Sequence, residues 1–422
     1  MDILRFFTAG NVDDGKSTLI GRLLFDSKSI STDIIETITR QSKNKGKDTD
    51  LDLALLTDGL RAEREQGITI DVAYKYFTTA KRKFIIADTP GHIQYTRNMF
   101  TGASTADVAI ILIDIVNGIT EQTRRHSIIA SILGIPNVLI CINKMDLVGY
   151  AENSYTEIIN EYKKFAFGLN LRNVDYIPVS ALEGENMITR SDKLAWYEGF
   201  PLLPYLENIE TTNLDTQEDT RFQIQYVSNF VDPKTNEITR RFIGKVLSGT
   251  YKKGDLVEVL PEKIATSISA LEKYNKPVIV AQKGEIVSIQ LSDDIDAGRG
   301  KTIVPVHQNP IITNEIETTI CWMDNTSFRP GQKLIIQHLS HTTKAKISDI
   351  VHKIDIHTNQ PDYEHTDTIA LNEICKVTIR TAEPIAADTF DQNRSTGIFI
   401  LIDENTNNTV AAGTISSCCQ EE

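Results

Sequence analysis

The stretch Gly10-Asn11-Val12-Asp13-Asp14-Gly15-Lys16-Ser17 constrains this chain more than any other, because it matches G-x4-G-K-[ST] between an apolar run, Ile3 to Thr8, and a helical run, Thr18 to Leu24. A strand that passes through such a loop into a helix leaves successive backbone N–H groups pointing into the turn. Together with the helix N-terminus they make a nest for an anion. The pattern predicts a phosphate-binding loop, with Lys16 reaching the β and γ phosphates of a nucleotide and the Ser17 hydroxyl ligating Mg²⁺.

Further apolar runs follow at Phe84 to Ala87, Val108 to Ile115, Asn137 to Ile142 and Asp175 to Val179, separated by amphipathic segments. Runs that are apolar on successive residues read as strands buried on both faces of a mostly parallel sheet. The first part of the chain is therefore predicted to be a doubly wound α/β domain. Three of these strands run into polar motifs. Asp88-Thr89-Pro90-Gly91-His92 puts Asp88 at a strand's carboxyl end, facing the crevice where such sheets bind ligands, with its carboxylate expected to hold Mg²⁺ through water and the Gly91 N–H expected to sense a γ phosphate. Asn143-Lys144-Met145-Asp146 supplies guanine specificity, since the Asp146 carboxylate can accept from both the ring N1–H and the exocyclic amine, a donor pair adenine lacks. Ser180-Ala181-Leu182 offers backbone N–H groups to the guanine O6. The expected nucleotide-binding set is thus Gly10 through Thr18 with Asp88, Gly91, Asn143, Lys144, Asp146 and Ser180 to Leu182, for GTP with Mg²⁺.

From about Arg221 the texture changes to short alternating strands broken by Gly, Pro, Asn and Asp turns, as in RRFIGKVLSGTYKKGDLVEVLP, and a second set starts near Asn314. Such spacing predicts two antiparallel β-barrels. The expected domains are 1–213 (nucleotide binding), 214–312 and 313–422 (barrels), with Glu207 to Thr220 as linker and Ser27 to Arg64 as a charged, partly helical excursion. A net charge of −13 weighs against a broad nucleic-acid footprint. No window approaches the ~18 apolar residues of a membrane span and MDILRFF lacks the build of a signal peptide, so the expected address is the cytoplasm. Five scattered cysteines with no CxxC pair argue against a disulfide framework or a zinc site.

These motifs in this order, with Gly67-Ile68-Thr69-Ile70 between the first two, resemble the translation-factor family of GTPases. The resemblance implies GTP hydrolysis, two β-barrels attached to the GTPase domain, Thr69 capping Mg²⁺ and the γ phosphate, and His92 positioning the attacking water. The expected catalytic residues are then His92, Lys16 and Thr69, and the metal residues Ser17, Thr69 and Asp88.

Within that family three stretches are similar to the GTPase subunits of bacterial sulfate adenylyltransferases: NVDDGKSTLIGRLL around the first loop, LSDDIDAGRGK (Leu291 to Lys301), and TFDQNRSTGIFILIDENTNNTVAAG (Thr389 to Gly413). The last lies outside the nucleotide motifs, so shared GTP chemistry does not account for it. This resemblance implies a separate catalytic subunit that makes adenylylsulfate and pyrophosphate from ATP and sulfate, driven by GTP hydrolysis on the present chain. Because no second phosphate-loop pattern occurs, a form without a fused kinase is expected. The alternative is an elongation-factor-like carrier of aminoacyl-tRNA. His338-Leu339-Ser340-His341 has the H-x-x-H spacing of a phosphate grip but lies between strand-like stretches and reads as a hairpin turn.

Overall fold

The computed structural model describes residues 2–28, 53, 71–92, 96–103, 105–210, 219–231, 238–364 and 366–418. Thr69, the Gly67 to Ile70 stretch and most of the Ser27 to Arg64 excursion lie outside the described residues. The chain forms two compact units, Met1–Thr211 with Asp355–Gln360, and Thr212–Ile354 with Pro361–Glu422.

The first unit is built on six strands: β1 (Ile3–Ala9), β2 (Ala73–Thr78), β3 (Lys83–Asp88), β4 (Val108–Asp114), β5 (Asn137–Asn143) and β6 (Asn173–Pro178), in spatial order β2-β3-β1-β4-β5-β6. All neighbours are parallel except β2, which runs antiparallel to β3 at the sheet edge. Every residue of β4 and of β5 is buried, which is why both read as unbroken apolar runs: helices cover both faces of a parallel sheet. These are α1 (Lys16–Asp26), α2 (Thr96–Ala103), α3 (Glu121–Ile132), α4 (Glu152–Ala166) and α5 (Leu202–Asn208). In α3 Thr120 caps the N-terminus through a reciprocal bond pair with Thr123, and Glu121 adds a favourable charge in the first turn. The order reverses at β1, which lies between β3 and β4, so the crevice beyond its carboxyl end is where an open α/β sheet receives ligands.

The second unit holds two antiparallel barrels. In the first, Leu256–Leu260, Thr302–Pro305, Arg221–Val231, Ile238–Ser248, Ile286–Leu291 and Ile264–Lys273 follow one another in space, and the last pairs back with the first to close the ring. In the second, the sequence Leu334–His338, Ile398–Asp403, Thr409–Cys418, Ile311–Trp322, Ile374–Ala387 and His341–Ile354 closes the same way. Closure removes the open sheet edges that would otherwise template aggregation. Alternate residues point inward, Phe222, Phe242 and Val257 among them in the first core, Trp322, Ile336 and Leu401 in the second.

A buried polar joint ties the first strand of the first barrel to the second barrel. The Arg221 guanidinium, 1% exposed, donates Nε and Nη2 to the two oxygens of Asp388 at 2.9 and 2.8 Å. Asp388 also accepts from the Thr396 hydroxyl at 2.5 Å, and Asn393 donates to the Ser248 hydroxyl at 2.8 Å. Asn393 and Thr396 belong to TFDQNRSTG, so part of a stretch that lies outside the nucleotide motifs serves as the joint between barrels. His338 and His341 are the terminal register pair of a hairpin, with the His338 ring buried and its Nε2 2.5 Å from the Thr396 carbonyl. Among the described residues no helix is long and apolar enough to cross a membrane.

Candidate nucleotide-binding site

Beyond the carboxyl ends of β1, β3 and β5 lies a cavity of about 480 Å³, within the usual range for small-molecule sites. The first loop contributes Val12, Asp13, Gly15, Lys16, Ser17 and Thr18 to its wall; the turn after β3 contributes Gly91 and His92. The turn after β5 adds Asn143, Lys144 and Asp146, and the loop after β6 adds Ala181 and Leu182. Four motifs separated by up to about 170 residues in sequence therefore share one wall. Of the other sequence-predicted residues, Gly10, Asn11, Asp14, Asp88 and Ser180 stand outside that lining, and Thr69 is beyond the described residues.

The residues behind the wall position those in front. Lys16, the first residue of α1, donates Nζ to the carbonyls of Gly10 and Asn11 at 2.9 and 2.8 Å, closing the loop over its own ammonium. Asp14, 1% exposed, accepts the Asn11 N–H through Oδ2 at 2.5 Å and holds the turn. The Asn143 amide bridges two motifs: Nδ2 donates to the Asp14 carbonyl at 2.8 Å and Oδ1 accepts from the Ala181 N–H at 3.0 Å. The Ser180 hydroxyl donates to Asp146 Oδ1 at 2.6 Å, fixing that carboxylate. Lys144, in the left-handed region at φ 64°, pairs with buried Asp114 at 2.8 Å. Thr89 donates to the Thr8 carbonyl at 2.6 Å, pinning the turn after β3 to β1.

Two glycines are required by close approach. Gly15 has φ 93°, and a Cβ there would stand 2.4 Å from Asn143 Nδ2. A Cβ on Gly91 would stand 2.3 Å from Lys16 Nζ and 2.6 Å from the Gly10 carbonyl. Any side chain at Gly91 would fill the space in which the turn after β3 meets the phosphate loop.

Electrostatically the site suits an anion. Burial pushes the Lys16 ammonium below its ordinary pKa, with Asp14, Asp88 and Asp13 opposing the shift. Its hydrogen-bond partners are neutral carbonyls, so a phosphate would restore the counter-charge that desolvation makes valuable. Burial also raises the Asp14 carboxyl to about 6, against the Asn11 N–H and the Lys16 charge. The oxygen donors at hand, a hydroxyl on Ser17 and a carboxylate on Asp88, are those a hard cation such as Mg²⁺ takes when substrate phosphates and water complete its shell. The residues present thus fit a nucleoside phosphate with Mg²⁺.

Residues 1–261 match the family model described as the elongation factor Tu GTP binding domain, and residues 315–416 the one described as the GTP-eEF1A C-terminal domain-like family. Over 416 residues the chain is 46% identical to a protein of Alteromonas mediterranea named sulfate adenylyltransferase subunit 1, covering 98% of this chain and 87% of that one. The chain belongs to the sulfate adenylyltransferase subunit 1 family. Another member, from Bacteroides fragilis, is 45% identical over 417 residues. The chain is also 49% identical to a Mycobacterium tuberculosis protein named bifunctional enzyme CysN/CysC, across 98% of this chain and 67% of that one. Among solved structures, the GTPase-like domain of Saccharomyces cerevisiae Ski7, bound to GDP and inorganic phosphate, superposes with a TM-score of 0.53 at 17% identity, covering 99% of this chain and 98% of that one. That likeness establishes the shared fold.

Two residues, one lining the cavity of this family member and one behind its wall, escape a motif reading. Leu147 lines the cavity next to Asp146 and is 61% exposed, an apolar side chain left at a polar mouth; its one signal in the sequence is its place directly after the guanine motif. Arg22, in the second turn of α1, donates to carbonyls of the loop after β6. Nothing local in the sequence marks it, because its partners lie about 160 residues away.

Proposed function

We propose that this chain is the GTP-hydrolysing subunit of a cytoplasmic sulfate adenylyltransferase, acting in sulfate assimilation beside a separate catalytic subunit in a heterodimer or higher oligomer. The partner transfers AMP from ATP to sulfate, releasing pyrophosphate, and hydrolysis of GTP on this chain drives that unfavourable transfer. The observation that carries the reading is the convergence of the four nucleotide motifs on one cavity in a chain 46% identical to a sulfate adenylyltransferase subunit 1. The division into domains 1–213, 214–312 and 313–422 belongs to this proposal.

In this reading Lys16 and the N–H groups of Gly10 to Thr18 bind the phosphates, while Ser17, Thr69 and Asp88 hold Mg²⁺, Asp88 through water. Held by those residues, Mg²⁺ would supply positive charge against the negative charge that develops during transfer. His92 orients the attacking water, and Asp146 accepts from the base while Asn143, Lys144 and Ser180 to Leu182 complete its pocket. Gly91 donates its N–H only when a γ phosphate is present, so the turn after β3 differs between the GTP and GDP states. Coupling to the partner requires such a difference, since a ligand shifts an equilibrium only by its differential affinity for the two states.

The test mixes the chain with a catalytic subunit, ATP, sulfate and Mg²⁺ and measures adenylylsulfate with and without GTP. Strong stimulation by GTP, lost in Lys16→Ala, is expected. Absence of stimulation with the catalytic subunit demonstrably bound would overturn the coupled role, and GTP-dependent retention of aminoacyl-tRNA would then identify the carrier instead.

A further inference from the structure

Arg22 stands apart from the cavity-lining residues, yet its guanidinium is committed to the loop that forms the cavity's far end. Nε donates to the Ala181 carbonyl at 3.2 Å and Nη2 to the Leu182 carbonyl at 2.5 Å. Among the described residues its ionic partner is Asp26, a turn further along α1 at 3.9 Å, so the carbonyl contacts are the closer ones. Because a guanidinium presents its N–H donors in a rigid fork, two successive carbonyls held by two of its nitrogens fix the orientation of two successive peptide planes.

The consequence follows from peptide geometry. In a trans peptide the C=O and the next N–H point in opposite directions. Turning the Ala181 carbonyl toward α1 therefore turns the Leu182 N–H away from α1. Turning the Leu182 carbonyl the same way does likewise for the Glu183 N–H, which donates to the Ser180 hydroxyl oxygen at 3.2 Å. That hydroxyl in turn donates to Asp146 Oδ1 at 2.6 Å. One side chain thus governs the direction of the Leu182 N–H in the loop and, through Glu183 and Ser180, the carboxylate beside it. Arg22 also rides on the helix whose first residue is Lys16. The phosphate grip and the base loop are joined through α1 as well as through Asn143.

We propose that Arg22 is a positioning residue for base recognition: by holding the Ala181 and Leu182 carbonyls it aims the loop's N–H at the 6-oxo group of guanine and sets how long the nucleotide stays bound. The proposal rests on the cavity being a guanine-nucleotide site. It assigns Arg22 no contact with the nucleotide and no part in the hydrolytic step.

Release of fluorescent GDP, followed by stopped flow on the full chain, tests it. Arg22→Ala is expected to release GDP roughly ten- to a hundred-fold faster, the effect of two lost charge-assisted hydrogen bonds, while the single-turnover rate of GTP hydrolysis at saturating nucleotide stays within about two-fold. A second readout separates aiming from mere loosening. 6-Thio-GDP keeps the N1–H and 2-amino groups but offers a poor sulfur acceptor, so the preference for GDP over it should narrow several-fold in Arg22→Ala. Asp26→Asn, which leaves the carbonyl contacts in place, should behave as the parent protein. Should Arg22→Ala not fold, Arg22→Lys carries the same test, since an ammonium lacks the fork and should give intermediate release and an intermediate preference. Release within two-fold of the parent, or faster release with an unchanged GDP to 6-thio-GDP preference, overturns the proposal. A parent chain that retains no GDP would instead overturn the reading of the cavity itself.

Discussion

Both units bury charge, but they treat it differently. In the second unit the buried Arg221 and Asp388 are paired through both nitrogens and both oxygens, and Thr396 supplies a further donor to the carboxylate. In the first unit several buried polar atoms have no hydrogen-bond partner among the described residues, Asp14 Oδ1, Thr8 Oγ1 and His126 Nδ1 among them, and the second unit has His341 Nε2 and His352 Nδ1. His126, in α3, is pushed down to about 3 by burial, with Lys16 and Arg125 adding to the shift, and so stays neutral. A satisfied buried network rigidifies, whereas an unsatisfied one costs stability unless something else completes it. The comparison teaches that the Arg221–Asp388 joint is satisfied within the fold, while the phosphate-loop carboxylate of Asp14 keeps one buried oxygen without a protein partner among the described residues.

The widest separation of the two units should come from His92→Ala. Hydrolysis of GTP should fall by about 10²- to 10⁴-fold, the usual worth of a group that positions or activates a nucleophile, with GDP affinity and melting temperature close to the parent's. A collapse of affinity in equilibrium binding would make His92 structural and blur the contrast. Arg221→Ala attacks the other side: leaving Asp388 buried without its partner should cost about 3–5 kcal/mol of stability, read as an early unfolding transition in urea. Replacing both residues by apolar ones of similar volume, Arg221→Met with Asp388→Leu, should recover most of the loss. If the single and double variants melt alike, the joint is worth less than its geometry indicates.

Asp146→Asn sharpens the comparison within the nucleotide unit. The amide can donate to the 2-oxo group of xanthine, so preference should turn from GTP toward XTP by on the order of 100-fold in competition binding; an unchanged preference removes Asp146 from base recognition. The smallest effect concerns pH. The folded-state pKa of Asp14 is about 6, above the ordinary 3.8, so the folded chain holds this proton more tightly than the unfolded one. The contribution is fully present below pH 3.8 and is lost as pH rises to about 6. Nucleotide-free Asp14→Asn should therefore be more stable than the parent above pH 6 by about 2–3 kcal/mol and equal to it near pH 3.5. Equal stability at pH 7.5 in denaturant titrations would show that Asp14 is not held at a cost.

What was legible in the amino-acid order is what local physics writes there. The buried runs of β4 and β5 announce a parallel sheet because both faces are covered, and each nucleotide motif sits at the end of such a run because a strand must stop before its loop can bind. The barrels announced themselves through short strands and turns, and the hairpin at His338 to His341 through its setting between two of them. Closure was expected of barrels, but which strands close each ring was not legible, since it depends on pairs such as Val257 with Thr266 and Leu334 with Ala345 meeting in register.

By itself the sequence determined the class of fold and the kind of ligand, because glycine turns, strand ends and hydrogen-bonding side chains carry their chemistry in a few consecutive positions. Only the tertiary structure decided what holds those residues in place. Arg22 meets Ala181 across 159 positions, Asn143 meets Asp14 across 129, and Arg221 meets Asp388 across 167. Contacts at such separations leave no local pattern: an arginine reads the same in a helix whether it faces solvent or a carbonyl, and which it does is settled when distant strands are brought together and buried groups must find partners.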